Sequence, residues 1–166
     1  MSTEYLLTRL TAQTSWSDTR IPGGVKPELT VADISVIAAA APHMSFHALM
    51  TKYCDDQQSE KIVLSWTHQT SLDEWFTNPV HAATPITARQ LNKLAELAVL
   101  AWLRPQQPHA TTLRTRGAYI GANHETFRRN FQAHYAHLVG ELQYLEQIGV
   151  NAVRNFHGRR ADEGGA

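Results

Sequence analysis

Two adjacent arginines, Arg128 and Arg129, lie in the part of this chain whose residue types are best suited to binding a ligand. A guanidinium group carries five N–H donors in a planar fork that matches phosphate oxygens or the edge of a guanine. Both arginines follow Phe127, an apolar residue suited to packing inside, so we expect them on the outer face of a helix. Their chemistry favours recognition of a nucleic acid over catalysis.

The residues before the arginines have the spacing of two short helices joined by a tight turn. Gly117 is small enough for a close crossing, Ile120 can fill a core, and Gly121 tolerates a left-handed backbone. Asn123 can cap the next helix, because its side-chain oxygen accepts the free N–H groups of a first turn. This pattern is typical of a helix-turn-helix, which places its second helix in the DNA major groove. A plain helical hairpin, in which Gly121 is only a C-cap, is the alternative.

Charge is unevenly divided along the 166 residues, although the formal net charge is +0. Residues 1–103 hold seven Lys or Arg and ten Asp or Glu, a balance of −3. Residues 104–160 hold eight Arg, no Lys and three Glu, a balance of +5, which favours bidentate contacts to phosphate or guanine. A solvated arginine face would have the same composition. The candidate DNA-binding residues are Arg114, Arg116, Asn123, His124, Glu125, Thr126, Arg128, Arg129 and Gln132.

Nine histidines raise the question of a metal site. His43 and His47 are four residues apart and His134 and His137 three apart, so each pair can share a helix face. No HExxH motif, cysteine pair or carboxylate cluster accompanies them, and we predict neither a metal site nor a cofactor. Since the sequence also contains no phosphate-binding loop and no assignable Ser-His-Asp set, we expect a protein that is not an enzyme.

The apolar residues recur at helical spacing almost throughout, which predicts an all-α fold with a long C-terminal helix. One clear stripe runs from Leu91 to Trp102, in a helix that Thr84 or Thr87 can start. A second stripe runs from Phe127 to Ile148, and is either core or a seam for a partner. We also predict helices at 3–12 and 31–41 on either side of a linker at 14–30, a polar turn at 55–59 and a short turn of helix capped by Ser71. The predicted regions are an N-terminal helical region (1–84), a helix-turn-helix DNA-binding region (85–158) and a disordered tail (159–166).

The expected location is the cytoplasm. The first residues have neither the basic nor the apolar region of a signal peptide, and the longest apolar run, 34–42, is too short to span a bilayer. A single cysteine, Cys54, excludes a disulfide framework and fits a reducing compartment.

The C-terminal third, IGANHETFRRNFQAHYAHLVGELQYLEQIGVNAV, resembles the Q-type late-gene antitermination proteins of lambdoid phages. In that family a helix-turn-helix precedes an aromatic-Arg-x-x-aromatic segment, a His-aromatic pair and a leucine-bearing helix. The resemblance covers residues 86–155, including the preceding helix LAELAVLAWL. The zinc-binding cysteines of the lambda-type protein have no counterpart here.

The resemblance implies binding to double-stranded DNA near a late promoter and loading onto paused bacterial RNA polymerase, which then reads through terminators. It implies that recognition falls on Asn123, His124, Glu125, Arg128 and Arg129, and it assigns no residue to the polymerase contact. The expected function is thus a sequence-specific, phage-encoded transcription regulator acting in the cytoplasm of a bacterial host.

Three other functions stay open at this point. One is a dimeric repressor or activator that dimerises through the second apolar stripe. Another is a small terminase subunit, which joins a helix-turn-helix to oligomerising helices and forms a ring for DNA packaging. The third is a helical interaction protein without a DNA role. The oligomeric state distinguishes the DNA-binding functions from one another. A monomer favours antitermination, a dimer favours a repressor or activator, and a large ring favours DNA packaging.

Overall fold

The computed structural model describes residues 38–82, 85–107 and 112–163, and every regular element in those ranges is helical. The predicted all-α class is therefore confirmed. The elements are, in chain order, α1 (His43–Cys54), α2 (Gln57–Thr77), α3 (Pro79–Ala82), α4 (Ala88–Leu103), α5 (Leu113–Ile120), α6 (His124–Thr126), a π-helical turn (Phe127–Phe131) and α7 (Gln132–Glu163). The last three elements form one continuous helix, because the residues at their junctions keep right-handed helical torsions. We call it the C-terminal helix.

Four helices pack side by side around a main hydrophobic core. Each of α1 and α4 lies against both α2 and α7. The fully buried side chains of this core come from both predicted regions, before and after residue 85, and include Ala48, Val63, Trp75, Leu94, Leu97, Leu138 and Leu142. Removing this much apolar surface from water is the main stabilising contribution to such a bundle.

Both predicted apolar stripes lie in the core. In α4 the residues of the stripe, from Leu91 to Trp102, are buried. In the C-terminal helix Phe127, Phe131 and Leu138 are buried as well, and Leu145 packs against the same cluster. The second stripe is therefore an intramolecular core, as its helical spacing favours.

One carboxylate joins three of the helices. Glu146 of α7 accepts hydrogen bonds from Lys52 Nζ at 2.6 Å, from Trp102 Nε1 at 2.9 Å and from the Tyr53 hydroxyl. Lys52 and Tyr53 belong to α1 and Trp102 belongs to α4. Burial and the hydrogen bond to Glu146 raise the pKa of Tyr53, so its hydroxyl stays protonated and keeps donating.

Helix α2 differs from the prediction at its middle. Ser71 does not start a short helix; α2 runs without interruption from Gln57 to Thr77, and Ser71 is buried within it. The reason is that α2 directs hydroxyl-bearing residues into the core and satisfies them there. Thr67 Oγ1 donates to the carbonyl oxygen of Val63 at 2.8 Å, and Ser71 Oγ lies 3.0 Å from His134 Nε2. Because several residues on the buried face of α2 are polar, the sequence lacks the regular spacing of apolar residues from which a continuous helix is predicted.

The helix ends are set by side chains that bind free backbone N–H groups. Asp56 accepts from the Ser59 N–H, so only Asp55 and Asp56 separate α1 from α2, a shorter turn than predicted. Thr87, one of the two predicted starts, caps α4 in a capping box with Gln90.

At its other end the C-terminal helix continues through Glu163, beyond the predicted start of the disordered tail at 159. A glycine within a helix costs only about 1 kcal/mol, so Gly158 is no barrier. The predicted helix at 3–12, the linker at 14–30 and most of the predicted helix at 31–41 lie outside the described residues, as does 164–166. Within the described ranges, no helix is both long enough and apolar enough to cross a membrane.

Candidate nucleic-acid interface

The turn between α5 and α6 has the predicted left-handed residue at its centre. Gly121 has φ 75° and ψ 30°, and its N–H donates back to the Ala118 carbonyl at 3.2 Å. The next N–H, from Ala122, donates to the carbonyl of Gly117 at 2.8 Å. These bonds satisfy carbonyl groups at the end of α5 and reverse the chain within three residues.

Gly117 is required because the turn folds directly over it. A Cβ atom built on Gly117 would lie 2.8 Å from the Ala122 carbonyl oxygen and 3.1 Å from two backbone atoms of Asn123. The predicted close approach is thus present, although the partner is the backbone of the turn rather than a facing helix side chain. Only a residue without a side chain allows α6 to start so close to α5.

The helix that follows is fixed by a cap and a buried aromatic residue. Asn123 Oδ1 accepts from the Thr126 N–H at 2.8 Å, as predicted for an N-cap. Phe127 is fully buried, where it contacts the rings of Phe131 and Tyr135, and Ile120 of α5 is buried in the same cluster. The first turns of the C-terminal helix therefore have one orientation relative to α5.

Arg116 braces the two helices from the side. Its guanidinium carbon lies 4.8 Å from the centre of the Tyr135 ring, and Nη1 donates to Gln132 Oε1 at 3.4 Å. Stacking of this kind suits the planar guanidinium, which is only weakly hydrated. Two of the predicted DNA-binding residues, Arg116 and Gln132, thus contact each other within the protein.

Arg128 and Arg129 follow the buried Phe127 in the C-terminal helix, and 57% and 70% of their side chains are exposed. Both bind Glu125. Arg128 donates from Nη2 to Oε1 at 2.7 Å and from Nε to Oε2 at 3.1 Å, and Arg129 donates from Nε to Oε1 at 2.7 Å. These hydrogen bonds lower the pKa of Glu125 to about 2, so the carboxylate is ionised at neutral pH.

The remaining predicted residues lie on α5 and at the start of the C-terminal helix. Arg114 on α5 and His124 at the start of α6 are exposed, and Thr126 is half-buried. We use the name basic edge for a set of four exposed residues and the half-buried Glu125: Arg114, His124, Glu125, Arg128 and Arg129. Its three arginines and one carboxylate give a formal charge of +2.

The two arginines lie in a π-helical turn, which the sequence does not predict. The N–H of Gln132 donates to the carbonyl of Phe127, five residues earlier, in place of the α-helical partner four residues earlier. Such turns are uncommon and occur often at functional sites. Nothing in the composition of FRRNF distinguishes it from an α-helical turn.

A second polar cluster lies between α2 and the C-terminal helix. His134 is buried beside Ser71, His137 Nε2 lies 2.9 Å from Glu74 Oε1, and His81 stacks on Trp75 with the ring centres 4.6 Å apart. Burial lowers the pKa of His134 to about 4, so its ring is neutral near pH 7. The spacing in the sequence predicts that His134 and His137 share a helix face, but it does not predict their contacts with Ser71, Glu74 and His81.

The cluster borders a cleft of about 410 Å³ but does not have the arrangement of a catalytic site. Ser71 is only 1% exposed, so a substrate could not reach its hydroxyl, and Glu74 binds His137 rather than His134. Within the described parts of the chain, no three His, Cys, Asp or Glu side chains are grouped so as to hold a metal ion.

Comparisons of the chain with protein-family models, with curated proteins and with solved structures found no match. Function must therefore be argued from the chain's own residues. Among the described residues, the basic edge has exposed cations at the start of the C-terminal helix. The orientation of this helix end is fixed by the turn at Gly121, the cap at Asn123 and the buried Phe127.

Proposed function

We propose that this protein is a sequence-specific DNA-binding regulator that places the start of its C-terminal helix in the major groove. One observation carries the proposal: Arg128 and Arg129 are largely exposed on the helical turn that the fully buried Phe127 anchors in the core. The major groove is about 12 Å wide and accepts an α-helix, where arginine can bind phosphate or the O6 and N7 atoms of guanine.

The rest of the unit supports the same function. The turn at Gly121 sets the exit of the second helix from α5, and Arg116 braces the two helices through Tyr135. A recognition helix needs such supports, because base contacts require side chains held within a narrow range of positions. The balance of +5 over residues 104–160 adds the long-range attraction to phosphate that all DNA-binding proteins use.

Within this class we propose antitermination, with bacterial RNA polymerase as the second partner, because the layout of residues 86–155 resembles the Q-type proteins. A repressor or activator is the second candidate. Its dimer could not use the apolar stripe of the C-terminal helix, since Leu138 and Leu142 are fully buried in the chain's own core. A packaging subunit would require ring formation, which light scattering of the purified full-length chain measures directly.

DNA binding is tested by replacing both arginines, Arg128→Ala and Arg129→Ala, in the full-length chain. Fluorescence anisotropy with labelled duplexes selected from a random pool gives the dissociation constants. Each lost base contact should cost about 1–3 kcal/mol and relax sequence preference, whereas a lost phosphate contact weakens all sequences alike. The matched control removes two exposed cations elsewhere, Lys61 on α2 and Arg104 after α4.

Normal binding by the double arginine variant would exclude the basic edge as the DNA-contacting surface. Equal weakening by the control variant would show that total charge, not position, decides affinity. Antitermination is tested separately, by transcription with purified polymerase through a terminator placed behind a bound promoter. Read-through no greater than without the protein, despite DNA binding, would leave the repressor and packaging functions.

A further inference from the structure

Glu125 is the one acidic member of the basic edge, and both exposed arginines bind it. Its Oε1 atom lies 2.7 Å from Arg128 Nη2 and 2.7 Å from Arg129 Nε. The three side chains together carry a net charge of +1, where the arginines alone would carry +2. A surface whose only task is to hold phosphate has no use for a carboxylate at its centre, since it repels the backbone of any DNA.

The two arginines are held differently. Arg128 uses its Nε and one Nη2 hydrogen on the carboxylate, so one side of its planar fork is occupied. Its Nη1 group and the second Nη2 hydrogen remain on the end of the fork, and two parallel N–H donors there can meet guanine O6 and N7. Arg129 gives Glu125 a single bond, from Nε.

We propose that Glu125 is a positioning residue that determines specificity: it holds Arg128 for an end-on contact with a base and weakens binding to DNA of any sequence. The inference rests on the proposed DNA-binding function. A phosphate that binds the side of the Arg128 fork must displace the carboxylate. A guanine that binds the end of the fork leaves the ion pair intact. The pair therefore lowers the affinity of the non-specific complex more than that of the specific one.

The ion pairs are between exposed groups and are individually weak in water. Their importance lies in geometry and in the count of released ions. Each phosphate that a protein neutralises adds about 0.9 to the slope of log Kd against log salt concentration. A carboxylate that keeps one arginine from the phosphates should lower that slope by about the same amount.

The test compares the full-length chain with its Glu125→Gln variant on two 30-bp duplexes, one of random sequence and one selected from a randomised pool. We expect the variant to bind the random duplex more tightly and its salt slope to steepen by about 0.9. Between 50 and 200 mM salt its advantage should shrink about threefold. On the selected duplex the gain should be smaller, so that the ratio of the two affinities falls.

Glu141→Gln is the matched control. It makes the same change of charge on the same helix, sixteen residues further on, which is about 24 Å along the axis. Carbon-13 NMR titration of the Glu125 carboxyl group gives a readout without DNA: its pKa should rise toward an ordinary value when Arg128 is replaced by Ala.

Four outcomes contradict the inference. An unchanged slope and an unchanged affinity ratio in Glu125→Gln would overturn it while leaving DNA binding intact. An equal effect of Glu141→Gln would replace it with a general effect of charge. An unmoved carboxyl pKa in Arg128→Ala would show that the ion pair does not form. Failure of the unaltered protein to bind either duplex at 50 mM salt would overturn the proposed function, and this inference with it.

Discussion

Replacement of Gly117 by alanine should destabilise the protein, although alanine is the better helix former. Gly117 lies within α5, where the exchange alone should stabilise by about 0.5–1 kcal/mol. The new Cβ would lie 2.8 Å from the Ala122 carbonyl oxygen. Because ordinary contacts lie near 3.5 Å, the turn would have to recede by at least about 0.5 Å.

This movement cannot be taken up by a side-chain rotation, since all three close neighbours of the new Cβ are backbone atoms. Overpacking of this kind costs about 1–3 kcal/mol. After the helix-propensity gain is subtracted, we expect Gly117→Ala to lower the free energy of unfolding by about 1–2 kcal/mol. The hydrogen bond from the Ala122 N–H to the Gly117 carbonyl, which closes the turn, should lengthen at the same time.

Gly140 provides the control, because it lies in α7 with open space around its Cβ position. Gly140→Ala should therefore stabilise the chain by about 0.5–1 kcal/mol. Urea unfolding of the full-length variants, followed by circular dichroism, measures both changes on one scale. A Gly117→Ala variant as stable as the unaltered protein would refute the packing argument, whereas two variants shifted in opposite directions would support it.

Three further predictions concern other positions. Gly121→Val should lower the melting temperature, because a β-branched residue at φ 75° costs at least about 1 kcal/mol; an unchanged midpoint would contradict the turn geometry. Glu146→Ala should destabilise by about 3 kcal/mol, because the buried Trp102 and the half-buried Lys52 and Tyr53 lose their acceptor. Equal stability in urea would show that water replaces the carboxylate. The pKa of His134 is lowered to about 4 in the folded chain, so below pH 6.5 the unfolded chain binds a proton that the folded chain does not. The free energy of unfolding should therefore fall by about 2–3 kcal/mol between pH 6.5 and pH 4. His134→Gln should remove this part of the dependence of stability on pH.

The turn and its flanking residues could be predicted because local chemistry determines them. A left-handed position favours glycine, as at Gly121, and a helix start favours a short polar side chain, as at Asn123 and Thr87. The apolar stripe of α4 could be predicted as well, since its apolar residues recur at helical spacing.

Contacts between residues far apart in the chain depend on which helices pack together, and the sequence alone does not predict this packing. The hydrogen bond between Ser71 and His134 joins residues 63 positions apart, and both look like ordinary surface residues in the sequence. The salt bridges of Glu125 are a different case. Arg128 and Arg129 follow Glu125 by three and four residues, and these spacings predict ion pairs on a helix from the sequence alone.

The π-helical turn at Phe127–Phe131 has a consequence for insertions and deletions. A π-helical turn contains one residue more than the α-helical turn that would replace it. Deleting one residue there would leave an uninterrupted α-helix, in which the N–H of Gln132 still bonds to the carbonyl of Phe127, now four residues earlier. The helix on both sides of the deletion should therefore keep its orientation. A change in length of one residue at this turn can therefore be absorbed without repacking the core or turning the basic edge, so that the chain can gain or lose one position between Phe127 and Gln132 while the bundle stays as it is.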